Sequence, residues 1–222
     1  MKKAYFGALL VMTSSLGVSS VLAGPITWQE ADKYMPLQQR QFCDLTTDHR
    51  KDLMAAFASN NDIKVNLERK KRQEDLDALL PEGKFTDWLA RVVSVKQVMS
   101  PNDEDTDGDV ALVTELWCSV QVGSGELEIG GEKKWGATID HGSRMYREAA
   151  KVTAGDFVIM SGNFMTVQDF VPNRKETFYA SRPLTSDDLA ARVAGDDRRD
   201  DSAYGNGSEL FLAKIGYMAA AN

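Results

Sequence analysis

An acidic segment near the middle of the chain holds the residues whose spacing most resembles a binding site. Its alternating carboxylates are Asp103, Asp105, Asp107 and Asp109. Such carboxylates can converge on a hard cation, and Gly108 permits the sharp turn that a calcium loop needs. The twelfth position, however, holds Thr114 where a calcium loop has a bidentate Glu. We therefore expect weak calcium binding or none. The alternative interpretation is that the segment is the tip of an acidic hairpin and binds no ion.

The two histidines give little indication of catalysis or metal binding. Neither His49 nor His141 lies in a His-x-x-x-His or His-Glu-x-x-His spacing. His49 falls in a polar helical stretch, where we expect a solvated side chain. Ser143 follows His141 closely, but it is better explained as a helix cap than as a nucleophile. No catalytic residue, metal ligand set or cofactor is predicted.

A basic run and the strand aromatics are the remaining binding candidates. The basic run at 69–72 is flanked by Glu68, Glu74 and Asp75, which favours a solvated, salt-bridged helix surface over a phosphate site. Aromatic side chains on strands can stack on sugars or bases but more often fill a core. Of Trp88, Trp117, Trp135, Phe157 and Phe164, alternation favours Trp117 and Trp135 as outward-facing, ligand-binding candidates.

The beginning of the chain predicts export. Lys2 and Lys3 precede a short apolar stretch, and Val21-Leu22-Ala23 has the small residues of a cleavage site, as in a signal peptide over residues 1–23. The apolar stretch is too short for the roughly 20 residues of a membrane span. We expect a periplasmic or secreted mature chain with no transmembrane span. Its net charge falls from −7 to −9 without the two Lys, which disfavours a nucleic-acid partner.

Two cysteines, Cys43 and Cys118, are the whole cysteine complement. In an oxidising compartment an even count favours a disulfide. Two separate buried thiols are the alternative, since the sequence gives no distance between them.

Hydrophobic periodicity predicts helices first and strands afterwards. Thr27 and Glu30 form a capping box, an apolar helical stripe follows from Leu37 to Phe57, and a further helix closes at Pro81. Strands are predicted at 85–98, 109–122, 156–167, 176–180 and 209–218, with a strand or bent hairpin at 126–139. Short helices are predicted at 143–152 and 185–194, and a mobile polar loop at 196–207.

Three stretches give the chain a family resemblance: 85–88, 142–147 and the run 154–164, in which a Gly-Asp turn enters an apolar strand that meets Ser161-Gly162. With the β-β-β-α-β-β order, they resemble OB-fold-like domains of exported bacterial proteins of uncharacterised function. The resemblance implies a mainly β fold with α additions: an OB-like, five- to six-stranded Greek-key barrel over residues 84–222, preceded by a helical extension over 24–83.

The functional expectation is an exported, non-enzymatic binding or interaction module of the bacterial envelope that holds a protein, peptide or glycan. A structural subunit that docks through its N-terminal helices is the first alternative. A metal-dependent protein built on residues 103–109 is the second.

Overall fold

A computed structural model describes residues 27–98, 108–129, 132–166, 169, 181–182 and 209–221. The fold is mixed helix and sheet. Its helices are α1 (Trp28–Ala31), α2 (Leu37–Ala58), α3 (Asp62–Leu79) and α4 (Arg144–Ala149). Its strands are β1 (Lys84–Val98), β2 (Asp109–Glu115), β3 (Gln121–Gly123), β4 (Gly125–Ile129), β5 (Glu132–Gly136), β6 (Phe157–Phe164), β7 (Ser181–Arg182) and β8 (Leu210–Ala220).

The predicted N-terminal helices form where the capping residues place them. Thr27 donates its backbone N–H to the Glu30 carboxylate over 3.0 Å, and the N–H of Glu30 donates back to the Thr27 hydroxyl over 3.4 Å. The Thr27 hydroxyl also donates to the Glu30 carboxylate over 3.0 Å. The hydrogen bond from the Thr27 backbone, followed by the one from its hydroxyl, holds the pKa of the Glu30 carboxyl below its ordinary value. Pro36 precedes α2, and the Asn61 side chain caps α3 by accepting two backbone N–H groups. The short connection at 59–61 lets α3 pack along α2.

The main sheet has the strand order β3-β2-β1-β6-β8-β7. Neighbouring strands in this series are antiparallel. A further pairing joins β3 to β8 in parallel, with Val122 opposite Phe211. The two ends of the series β3-β2-β1-β6-β8 therefore pair with each other. The β4–β5 hairpin forms a separate two-stranded sheet.

The predicted strand over 109–122 is wrong as one strand. A tight turn at 116–120 divides it into β2 and β3, which pair with each other. The N–H of Leu116 donates to the carbonyl of Val120, and Ser119 takes a left-handed φ of 59°. The sequence here has neither Gly nor Pro, so the usual turn signals are absent.

An aromatic cluster unites the helices with the sheet. Phe42 of α2 lies within 5.6 Å of three ring centroids from β1, β6 and β8, those of Trp88, Phe164 and Phe211. All four residues are buried. Aromatic burial of this kind gives a large share of core stability. The helices before β1 therefore share the core of the sheet.

Gln39 of α2 forms hydrogen bonds with the backbone of Leu89, just after an irregular point in β1. The β1–β6 register shifts between Phe85 and Trp88, where Asp87 has a φ of 55°. The buried Gln39 amide accepts the N–H of Leu89 over 2.8 Å and donates to its carbonyl over 2.6 Å. The amide thus takes the place of a neighbouring strand at that residue.

Several expectations fall outside the described residues: the signal peptide at 1–23, the strand at 176–180, the helix at 185–194 and the polar loop at 196–207. The other predicted elements are confirmed, with small changes of boundary. Within the part of the chain that the structure describes, no helix combines the length and the apolar character needed to cross a bilayer.

Candidate functional site

Trp117 stands in the turn between β2 and β3 and is 43% exposed. Its neighbours Leu116 and Cys118 are buried, so the chain is anchored on both sides of the exposed ring. The hydrogen bonds from Leu116 to Val120 and from Ser119 to Leu116, of 2.8 and 2.9 Å, fix the turn. The outward position predicted for Trp117 is therefore observed.

A disulfide between Cys43 and Cys118 holds this turn against α2. The two Cα atoms are 5.5 Å apart, and both residues are buried. The predicted bridge is confirmed, and the alternative of two separate thiols is wrong. The turn is thus restrained by its own hydrogen bonds and by a covalent bond to a helix.

Trp135, the second aromatic candidate, is half-buried in β5. It pairs in register with Glu126, in the hairpin that follows β3, whereas the Trp117 turn precedes β3. Along the chain, Trp117 therefore precedes β3 and Trp135 follows it, in a different sheet. Of the other strand aromatics, Trp88 and Phe164 lie in the core, and Phe157 packs on Trp28 at 4.7 Å between ring centroids.

The acidic segment is described only at its end. Asp103, Asp105 and Asp107 lie outside the described residues. The two carboxylate oxygens of Asp109 accept separate hydrogen bonds, from the Thr138 hydroxyl over 3.1 Å and from the backbone N–H of His141 over 3.2 Å. Asp109 therefore connects the start of β2 to the segment before α4.

Ser143 caps a helix, as predicted. Its hydroxyl accepts the backbone N–H of Tyr146 over 3.0 Å at the start of α4. The His141 ring instead meets the Tyr146 ring edge to face at 4.8 Å. Ser143 and His141 thus have structural contacts in this segment.

The basic run is for the most part the salt-bridged surface that the sequence predicts. Lys70 lies 3.7 Å from Glu74, and Lys71 lies 3.7 Å from Asp52. Arg72 departs from the expectation, because it reaches inward to form an ion pair with the fully buried Glu209.

The expectation of a solvated His49 is wrong: the residue is only 4% exposed. Its Nε2 lies 2.9 Å from Asp75 Oδ2, and its Nδ1 is buried without a hydrogen bond partner. One ring nitrogen of His49 and one carboxylate oxygen each from Asp52 and Glu68 lie within 4.8 Å of one another. Glu68 and Asp75 are two helical turns apart, so the sequence places them on one face of α3. Their proximity to His49 depends on the packing of α3 on α2, which the sequence does not show.

An apolar pair is exposed near the start of α3. Ile63 is 73% exposed and Leu67 is 60% exposed, and the two lie one helical turn apart. Large apolar side chains that adjoin on a surface are a feature of protein contacts.

Comparison with known proteins found no matching family model, no similar curated protein and no similar solved structure.

Proposed function

We propose that this chain is an exported, non-enzymatic interaction module that binds a protein partner with Trp117 at the centre of the contact. The observation that carries the proposal is the exposed Trp117 ring on a turn that is fixed by a disulfide and two backbone hydrogen bonds. A large aromatic group that is already ordered loses little conformational entropy when it binds. Tryptophan is also among the residues that dominate protein interfaces.

The proposed architecture is an OB-like barrel with added N-terminal helices. It is supported by the pairing of β3-β2-β1-β6-β8 end to end, by the parallel pairing of β3 with β8, and by the position of α4 in the chain before β6. In such a barrel the loops and the open face hold ligands. The turn that carries Trp117 is one of these connections.

The proposed location is the periplasm or the outside of the cell. The basic and apolar beginning of the chain supports a signal peptide over residues 1–23. The disulfide between Cys43 and Cys118 supports an oxidising compartment, where such bonds form and persist.

Site-specific photo-crosslinking in the producing cell tests the proposal. A photoreactive phenylalanine analogue at position 117 should give a discrete protein adduct, while the same analogue at position 217 should not. Tyr217 is a matched control because it is an aromatic residue of similar exposure, 46%, on β8.

The identified partner is then purified, and its affinity for variants is measured. Trp117→Ala should weaken binding by about 30-fold or more, the effect of losing a central interface residue, and Tyr217→Ala should change it by less than about threefold. Equal adducts at both positions, or unchanged binding by Trp117→Ala, would contradict the proposal.

The second candidate function is a structural subunit that docks through its helices, and the exposed pair Ile63 and Leu67 favours it. The analogue at position 63 would then give the protein adduct, and Ile63→Glu with Leu67→Glu would abolish co-isolation of the crosslinked partner. Adducts at 117 and none at 63 would favour the first function over the second.

A further inference from the structure

The interface between α2 and α3 contains an unusual set of polar groups. His49 lies in a buried position on α2, and its Nδ1 atom has no hydrogen bond partner. Oε2 of Glu68, on α3, is also buried without one. Buried polar atoms without partners cost free energy, so their retention calls for a physical reason.

Three potential ligands meet at this place. One ring nitrogen of His49, one carboxylate oxygen of Asp52 and one of Glu68 all lie within 4.8 Å of one another. His49 and Asp52 are three residues apart on α2 and so share a face of that helix. Bonds from Zn²⁺ to nitrogen and oxygen ligands are about 2.0–2.2 Å long, so the three atoms must move closer together to share one ion. The exposed Asp52 side chain can rotate to do so.

Asp75 fixes the orientation of the imidazole. Its Oδ2 atom lies 2.9 Å from His49 Nε2, so Nε2 carries the proton and donates it to the carboxylate. The lone pair then resides on Nδ1, the atom that has no partner. A carboxylate on the far nitrogen of a ligating histidine is the usual outer contact of a zinc site.

We infer that His49, Asp52 and Glu68 form a binding site for a divalent transition metal, with Zn²⁺ as the best-fitting ion and Asp75 as the residue that orients His49. A neutral imidazole with two carboxylates favours zinc over calcium or magnesium, which prefer oxygen ligands alone. The two ligand carboxylates neutralise the charge of the ion. Because Asp52 is exposed, water can complete the coordination.

Lys71 competes locally with the cation for the Asp52 carboxylate. Lys71 Nζ lies 3.7 Å from Asp52, and both side chains are at least half exposed. An exposed ion pair of this kind contributes little to stability, because water screens both charges. The metal can therefore displace Lys71 from the Asp52 carboxylate.

Zinc titration of the purified, disulfide-bonded protein, against a chromophoric chelator after metal removal, tests the site. We expect one Zn²⁺ per chain, with this binding lost in His49→Asn and Glu68→Gln. Asp75→Asn should weaken it by about 10- to 100-fold, the usual effect of losing an outer contact. His141→Asn and Glu74→Gln are the matched controls, because they change the other histidine and an exposed acid of the same helix, and both should keep full affinity.

Thermal unfolding separates the site from general damage. Zinc should raise the midpoint of the wild type and of both controls but not that of Glu68→Gln. If His49→Asn does not fold, Glu68→Gln and Asp75→Asn decide the question. No stoichiometric binding by the wild type, undiminished binding by Glu68→Gln, or loss of binding in His141→Asn would overturn the inference.

Discussion

Arg72 of α3 forms an ion pair with Glu209, the residue immediately before β8, across a separation of 137 positions. Glu209 is 1% exposed, and the Arg72 guanidinium also lies over the Phe211 ring at 5.1 Å. The pair therefore joins the helical region to the strand that lies between β6 and β3. A cation over an aromatic face adds a further attraction.

The first prediction concerns this pair. Arg72→Met leaves Glu209 buried without a counter-charge, and we expect the free energy of unfolding to fall by about 3–5 kcal/mol. Replacing both residues, as Arg72→Met with Glu209→Leu, should cost less than Arg72→Met alone, because the buried charge is then gone. Urea unfolding measures both values. Lys70→Met is the control, since it removes only an exposed pair and should cost less than about 1 kcal/mol.

The second prediction concerns the disulfide. Reduction, or Cys43→Ala with Cys118→Ala, should lower the free energy of unfolding by about 4 kcal/mol, because the bond closes a loop over 75 residues and so restricts the unfolded chain. Thermal unfolding followed by circular dichroism measures the loss. The far-ultraviolet spectrum should stay native at low temperature, because the ring contacts of Phe42 still hold α2 on the sheet. Detection of free thiols after the isolated protein is denatured without reductant would contradict the bridge.

The third prediction concerns Gln39. Gln39→Leu leaves the N–H and carbonyl of Leu89 buried without partners, and each such group costs about 1–3 kcal/mol. For the two groups together we expect a loss of about 2–6 kcal/mol, and faster amide exchange at Leu89. Gln41→Leu, at an exposed position of the same helix, is the control and should have little effect. Slow exchange at Leu89 in the variant would show that another group accepts a hydrogen bond from the Leu89 backbone N–H.

The fourth prediction concerns pH. The hydrogen bonds from Thr27 lower the pKa of Glu30 in the folded chain below the unfolded value of 4.5. A lowered folded pKa stabilises the folded state above the unfolded pKa, and the contribution is lost as pH falls through the folded pKa. The turn at α1 should therefore loosen as the pH falls below 4.5 and through the lower folded pKa, and an NMR titration of Glu30 measures this. Thr27→Ala should move the pKa of Glu30 towards 4.5. An unchanged titration of Glu30 in this variant would contradict the capping box.

Local signals in the sequence predicted the elements that depend on local chemistry. The capping box at Thr27 and Glu30 and the cap at Ser143 were both correct, because a side chain that bonds a nearby N–H leaves its signature within four residues. The even cysteine count and the predicted export also favour the disulfide that is observed.

Features that depend on the packing of distant segments were missed. The turn at 116–120 has no signal in the sequence, because Ser119 instead of Gly takes the left-handed conformation there. The burial of His49 and the inward reach of Arg72 follow from α3 packing on α2 and from β8 reaching Glu209. A polar residue on a helix looks solvated until its partners from other elements are known.

Because β3 pairs in parallel with β8, the main sheet can close only after its last strand has been synthesised. Residues 121–123 lie in the middle of the chain, yet their second neighbour begins at Leu210, almost ninety positions later. While the chain is being synthesised, the edge of β3 and the edge of β6 must remain unpaired until residues 210–220 have emerged. Such late, long-range closure is expected to make folding slow, because the main sheet cannot close until its last strand has been made.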